Sequence, residues 1–186
     1  MVAPAKLAKM SSPNVYRPPH VRAASPQTFL WEQLGLAHQA EARTVLSGPH
    51  MNKQGGSRNA KQQAEFLKNA QNDWDSGCRD GCAWLLRDFC RQPVAIVNIF
   101  RPNPTGAFVH RIYTTPKAIQ SQSAIIKKSL EKFGEIHPEV RAVWAQASTT
   151  SAYVRGGFCE FLKTDMRRKN ASASRKTNIL FARVGA

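Results

Sequence analysis

The chain is short of acid. Its 186 residues hold 12 Asp and Glu against 27 Lys and Arg, a formal net charge of +15 at pH 7. It also lacks any long apolar run. A bilayer-spanning helix needs about 18 or more such residues in a row, so a transmembrane segment is excluded. The longest apolar stretches, such as Val94-Ala95-Ile96-Val97, have the length of a strand. Cysteine is scarce as well: four in a chain of this length do not make a disulfide scaffold, and no apolar core of a secretory signal is present. A reducing, intracellular compartment is expected, cytoplasmic or nuclear. What the chain does have is 42% hydrophobic residues, enough to bury a core and to exclude wholesale disorder.

The positive charge sits at the ends. Residues 1–61 carry +6, residues 62–161 only +3, and residues 162–186 again +6. Basic ends on a nearly balanced middle suit attachment to a polyanion, RNA or a ribonucleoprotein above all. Solubility or targeting are the plainer readings. Residues 1–27 contain five prolines and no acid, so they are expected to form a disordered basic tail. An acid-free start with arginine and serine also fits a mitochondrial transit segment, although the prolines oppose a presequence helix. Tyr16-Arg17-Pro18-Pro19-His20-Val21-Arg22 resembles a short segment in the tails of some RNA-associated proteins, among them certain DEAD-box helicases. An extended strand with one aromatic and two guanidinium groups suits stacking and phosphate contact. Arg17 and Arg22 are therefore candidate nucleic-acid contacts. Arg167, Arg168, Lys169, Arg175 and Lys176, clustered on one loop, are the others.

The elements follow from periodicity. Ser25-Pro26 reads as a helix start, with Phe29, Leu30, Trp31, Leu34 and His38 on one face. Residues 47–57 are loop by composition. A second helix covers 60–74, with Phe66, Leu67, Ala70 and Trp74 apolar. The period then changes to two: strands are expected over 83–87, 94–101 and 107–114, the last two joined by the turn Pro102-Asn103-Pro104-Thr105-Gly106. A helix over 121–136 shows Ile125, Ile126, Leu130 and Phe133 on one stripe. A strand over 140–147, a short helix ending at Gly156-Gly157, and strands over 159–166 and 177–184 complete the chain. The domain reading is a tail over 1–27, helix and linker over 28–60, and a folded α+β domain over 61–186.

This order, with three local features, resembles the Gcn5-related N-acetyltransferase (GNAT) superfamily. Phe108-Val109-His110-Arg111-Ile112-Tyr113-Thr114-Thr115-Pro116 is similar to the family's central strand, which ends in proline just before a cofactor loop. Val140–Ala147 stands where the next strand follows. Tyr153-Val154-Arg155-Gly156-Gly157-Phe158 looks like the family's Tyr-x-x-x-Gly-Phe signature. The resemblance implies a mixed, mostly antiparallel sheet flanked by helices, and an acyl-CoA, acetyl-CoA in the first place, as cofactor for transfer to an amine. No segment reads as the family's first strand.

The chemistry the resemblance implies asks for two things. A diphosphate needs backbone N–H groups at a helix N-terminus, where orphan donors and the helix dipole favour an anion. A thiolate leaving group needs an acid, usually a tyrosine. Tyr153 stands at the acid's place. Ile112, Tyr113 and Thr114 on the strand, with Gln120, Ser121, Gln122, Ser123 and Ala124 on the loop, stand where the cofactor is held. The family loop, Arg/Gln-x-x-Gly-x-Gly/Ala, has no glycine here: Ser123 and Ile125 fall where small residues belong. The loop is a weakened cradle. His110 is the candidate base, since an ordinary imidazole titrates near neutral pH. Its plainer reading is a packed strand residue. The rival to the enzyme is a scaffold that keeps the fold, has lost the acyl-CoA site, and binds RNA through its basic ends.

Other clusters read as structural. Cys78, Cys82 and Cys90 lack zinc-site pairing and are expected as buried thiols, with no metal assigned. Asp73, Asp75 and Asp80 do not match a calcium loop and read as a polar turn.

Overall fold

The computed structural model of the chain describes residues 28–53, 57–147, 150–166 and 175–184. The tail 1–27 and Arg17, Arg22, Arg167, Arg168 and Lys169 lie outside the described residues. For Arg175 and Lys176 only the strand backbone is described.

Seven strands form one sheet: β1 (Leu30–Gln33), β2 (Gly81–Arg87), β3 (Pro93–Phe100), β4 (Phe108–Thr114), β5 (Ala142–Ala147), β6 (Cys159–Met166) and β7 (Arg175–Arg183), in the order β1-β2-β3-β4-β5-β7-β6. Every pairing is antiparallel except β4 with β5. Four α-helices flank it: α1 (Gln39–Leu46), α2 (Ala60–Asp75), α3 (Gln122–Ile136) and α4 (Ser151–Arg155).

Alternation along the strands divides the core in two. Cys82, Trp84, Leu86, Val97, Ile99 and Phe108 point to one face, which α3 and α4 cover with Ile125, Ile126, Leu130, Phe133 and Tyr153. Ala83, Leu85, Ile96 and Tyr113 point to the other, which α1 and α2 cover with Val45, Leu46, Phe66, Leu67 and Ala70. Helices on both faces explain why β2 reads as a continuous apolar run rather than an alternating one.

The helix expected from Ser25-Pro26 is corrected. Leu30–Gln33 is a strand, laid antiparallel on β2 with Trp31 opposite Leu86 and Gln33 opposite Trp84. Pairing with an otherwise bare edge and the edge-to-face contact of Trp31 with Trp84, 6.1 Å between centroids, outweigh the helical spacing. A 3-10 turn over Leu36–His38 follows Gly35, and α1 begins only at Gln39. Arg87 on β2 locks this segment in place, donating to Glu32 at 2.9 Å and Glu41 at 2.8 Å. That guanidinium holds the Glu41 carboxyl below the usual carboxylate range. The first strand that the sequence hides is therefore present.

The other helices and strands stand within a few residues of expectation. α2 opens on a reciprocal cap: Asn59 accepts from the Gln62 N–H at 2.9 Å while the Gln62 side chain accepts from the Asn59 N–H at 3.0 Å. Cys78 and Cys82 are free, buried thiols beside each other, and burial pushes both pKa values upward. Cys90 is exposed, contrary to expectation, because it belongs to the β2–β3 turn.

Two glycines position the site. Gly157, at φ +103°, takes the left-handed cap of α4. Gly156 has ordinary φ but no room: a Cβ there would stand 2.6 Å from Ile126 Cγ2 and 2.8 Å from Ile126 Cβ. Its hydrogen lets α4 press on α3. Gly156→Ala is expected to cost about 1–3 kcal/mol as an overpacked contact, read as a lower urea midpoint at unchanged m.

Candidate functional site

Among the described residues the one parallel pair is short. β4 and β5 are in register over Phe108–Val143, Val109–Trp144 and His110–Ala145, and there the pairing ends. β4 itself continues on β3 to Thr114. Beyond His110 the two strands part and leave a gap in the sheet. The Thr115 N–H bonds Val94 O at 2.9 Å, so by alternation the backbone groups of Tyr113 and Arg111 face β3, while those of Ile112 and Thr114 face the gap. Thr114 meets α3 through its side chain, whose Oγ1 accepts from Gln122 Nε2 at 2.7 Å.

Tyr153 reaches this place from α4. Its hydroxyl takes a backbone hydrogen bond from Ile112 and lies 3.4 Å from His110 Nδ1. His110 is 0% exposed. Its Nε2 lies 2.9 Å from Ser129 Oγ, and Ser129 donates its one hydrogen to Ile126 O at 2.7 Å. These contacts assign the tautomer. Ser129 has no second proton, so it accepts from Nε2–H. Nδ1 then offers a lone pair, and Tyr153 donates to it. The chain runs Tyr153 to His110 to Ser129 to the Ile126 carbonyl and joins α4, β4 and α3. Phe158 closes it edge-on, 5.1 Å from Tyr153 and 5.7 Å from His110 between centroids.

The electrostatics follow from burial. Desolvation pushes the Tyr153 hydroxyl up, assisted by Tyr113, against opposing effects of Arg111 and the Ile112 N–H. Tyr153 is a neutral phenol at physiological pH. Desolvation pushes His110 down to about 3. The expectation of an imidazole titrating near neutrality is thereby corrected: a charge there would lose its water and meet no carboxylate. His110 orients Tyr153 and takes no proton from solvent.

The loop after β4 is wound rather than open. Pro116–Ser121 is a 3-10 helix running straight into α3. The Ala118 N–H goes to Thr115 O at 3.0 Å, and the Gln122 N–H goes to Ile119 O. Pro116, at the first turn, has no N–H to give. Of the loop residues expected to hold a cofactor, Gln120 and Ala124 are exposed and Ser121, Gln122 and Ser123 half-buried. An acyl-CoA can be tested against this. The β4 edge at Ile112 faces the gap where a thioester arm would lie, with the Ile112 N–H engaged by the Tyr153 hydroxyl, which a ligand would have to replace. The helix start fits the diphosphate poorly, because the Gln122 amide is committed within the chain.

Sequence reasoning missed Ser129 and Arg58. Ser129 was hidden in a helical stripe, although a serine three residues after Ile126 on the buried face is itself a signal for a buried hydrogen bond. Arg58 fell between the loop read over 47–57 and the helix read over 60–74. Its Nη2 donates to Tyr113 Oη at 2.7 Å, and its guanidinium carbon stands 4.7 Å from the Phe66 ring centroid and 5.1 Å from that of Tyr113.

The low pKa of His110 has a signed consequence. The unfolded imidazole binds a proton below about 6.5, and the folded one does so only near 3. In that window the unfolded state holds more protons, so stability falls as pH falls, by about 1.4 kcal/mol per pH unit at most for one group. His110→Gln removes this dependence. The stability advantage of the wild type over the variant, from urea midpoints, is expected to shrink steadily from pH 7 to pH 4. A constant difference would contradict a buried neutral imidazole.

No protein-family model matches the chain, and no curated protein does. Solved structures do, and they are acetyltransferases. A spermidine N-acetyltransferase from Vibrio cholerae in complex with CoA and spermine superposes with a TM-score of 0.65 at 8% identity, over 83% of this chain and 95% of that one. An acetyltransferase of the GNAT family from Streptococcus pneumoniae gives 0.63 at 11% identity, over 85% and 100%. AAC(6')-Ib in complex with paromomycin and acetyl-CoA gives 0.62 at 9% identity, over 84% and 93%. The chain has the GNAT fold.

Proposed function

We propose that this chain is an acyl-CoA-dependent N-acyltransferase with the acyl site in the gap between β4 and β5. One observation carries the reading: the strands part after His110 and Ala145, and the Ile112 N–H and the Tyr153 hydroxyl meet beside the opening. That solved structures of the same fold hold CoA or acetyl-CoA supports it. Ile112 and Thr114 on the β4 edge would hold the thioester arm. The diphosphate meets the exposed side chains of Lys117 and Gln120 rather than a ring of amides. An acyl-CoA so bound supplies an acyl group that an amine takes as an amide, with the C–S bond broken and one amine proton ending on sulfur.

Within this frame the chain's own residues have defined tasks. Tyr153 keeps a proton at Oη. His110, neutral and fixed by Ser129, holds that hydroxyl through a long bond that a ligand can replace. α3 and α4 exclude water from behind.

A second reading has its own support. The Gln122 N–H and the Tyr153 hydroxyl are both satisfied inside the chain, as they would be in a scaffold without a cofactor. The basic ends, +6 each, would then hold RNA.

Thermal unfolding separates the two. Acetyl-CoA at millimolar concentration is expected to raise Tm, because a ligand of the folded state stabilises it by about 2.7 kcal/mol at a hundredfold its Kd. Tyr153→Phe should keep most of that shift and lower turnover, followed by thiol release with an amine present, by roughly a hundredfold. No shift, together with single-stranded RNA binding that weakens steeply with salt, would favour the scaffold. A shift with full turnover in the Phe variant would remove Tyr153 from the chemistry.

A further inference from the structure

The two faces of the sheet differ at the gap. Behind Tyr153 the face is filled by α3 and α4. An acceptor must approach from the other face, where α1 and α2 cover β2, β3 and the end of β4. Alternation places Arg111 and Tyr113 on that second face, either side of Ile112, with Tyr113 buried under α1 and α2 and Arg111 exposed. Arg111 is exposed, lies 5.0 Å over the Phe100 ring, and is close enough to Tyr153 to lower its pKa. Arg58 stands on Tyr113, half-buried against two aromatic rings. Among the described residues neither guanidinium has a carboxylate partner: the ion pairs use Arg87, Lys128, His38 and His137 instead.

We propose that Arg58 and Arg111 select the acceptor, which is an amine carrying a carboxylate, as in an α-amino acid. The inference rests on the acyltransferase reading and names its substrate class. Two cations stand on the face of β4 from which the amine approaches. A polycationic acceptor meets repulsion there, whereas a carboxylate beside the amine meets two forks shaped for it. Arg58 is held by rings and a hydroxyl, none of which neutralises it, so its charge stays available. The solved neighbour with spermine bound shares the fold and takes a polycation, so acceptor charge is set here by local residues and not by the fold.

A matched pair of acceptors isolates the carboxylate: L-phenylalanine and L-phenylalaninamide. The amide's amine is the less basic and more often neutral, so nucleophile supply favours the amide and opposes the prediction. With acetyl-CoA, the wild type is expected to acetylate the acid faster, by roughly tenfold or more in kcat/KM, and to leave spermidine untouched. Arg58→Gln and Arg111→Gln should each erode that ratio through KM. Arg58→Glu should invert it. Equal ratios in wild type and variants, with the acetyl-CoA thermal shift intact, would overturn the proposal and leave the acyltransferase reading standing.

A second measurement needs no acyl donor. N-acetyl-L-phenylalanine is expected to raise Tm of the wild type, its carboxamide is not, and Arg58→Glu should abolish the difference. If acetyl-CoA fails to bind, the reaction class fails, and this difference alone decides whether the anion site exists. Its absence there would overturn the proposal too. Arg58→Lys controls for folding: it keeps the charge and is expected to keep the preference for the acid, whereas a loss of preference as large as that of Arg58→Glu would mark Arg58 as a structural staple and sink the inference.

Discussion

One buried imidazole holds the site together. His110 comes from β4, Ser129 from α3 and Tyr153 from α4, and no two of these are neighbours in the chain. Without the Ser129 hydroxyl, Nε2–H would be an orphan donor in a dry core, at a cost of about 1–3 kcal/mol. Without His110, the Tyr153 hydroxyl would have only the Ile112 N–H. The network thus sets where α4 sits, and α4 sits there only because Gly156 yields to Ile126. Stability and the geometry of the gap are the same set of contacts. The proton of Tyr153 is fixed in direction by a serine two contacts away, because Ser129 spends its own hydrogen on Ile126 O and leaves His110 a single tautomer.

Much of this was legible in the residues. The period-two runs around Val94 and Phe108, the stripe of Ile125, Ile126, Leu130 and Phe133, and the paired glycines after Tyr153 each reflect a local rule that the tertiary structure obeys. The order of these elements carried the fold. Leu30–Gln33 was not legible, and for a physical reason: apolar residues at helical spacing also suit a strand when an unpaired sheet edge is nearby, and that edge lies more than fifty residues away in sequence, on β2. Tertiary pairing overrode local pattern. Cys90 was misplaced for a simpler reason, since spacing says nothing about which side of a turn a side chain takes.

The candidate site was legible in identity and not in state. Tyr153 and His110 could be named from position, but nothing in the sequence says that they touch, that His110 is sealed from water, or that burial rather than a charge sets both pKa values. Arg58 shows the opposite case. Its neighbours Ser57 and Asn59 mark a loop, and only the fold brings it to Tyr113, fifty-five residues on. Loop residues anchored on a rigid sheet are where specificity accumulates, because the strands tolerate little change.

A loop without glycine after β4 and a parting of β4 from β5 are compatible. A cradle of loop amides binds a diphosphate through donors that cost nothing to orient, so its loss weakens affinity without disturbing the geometry where the acyl group would lie. The residues that shape the gap serve the core as well: Tyr153, Phe158 and Phe133 are buried in one cluster with the strands beneath them. Glycines in a phosphate loop serve only the ligand. A substitution in the loop therefore disturbs the fold less than one at Tyr153, Phe158 or Phe133, which the packing holds in place whatever the chain binds.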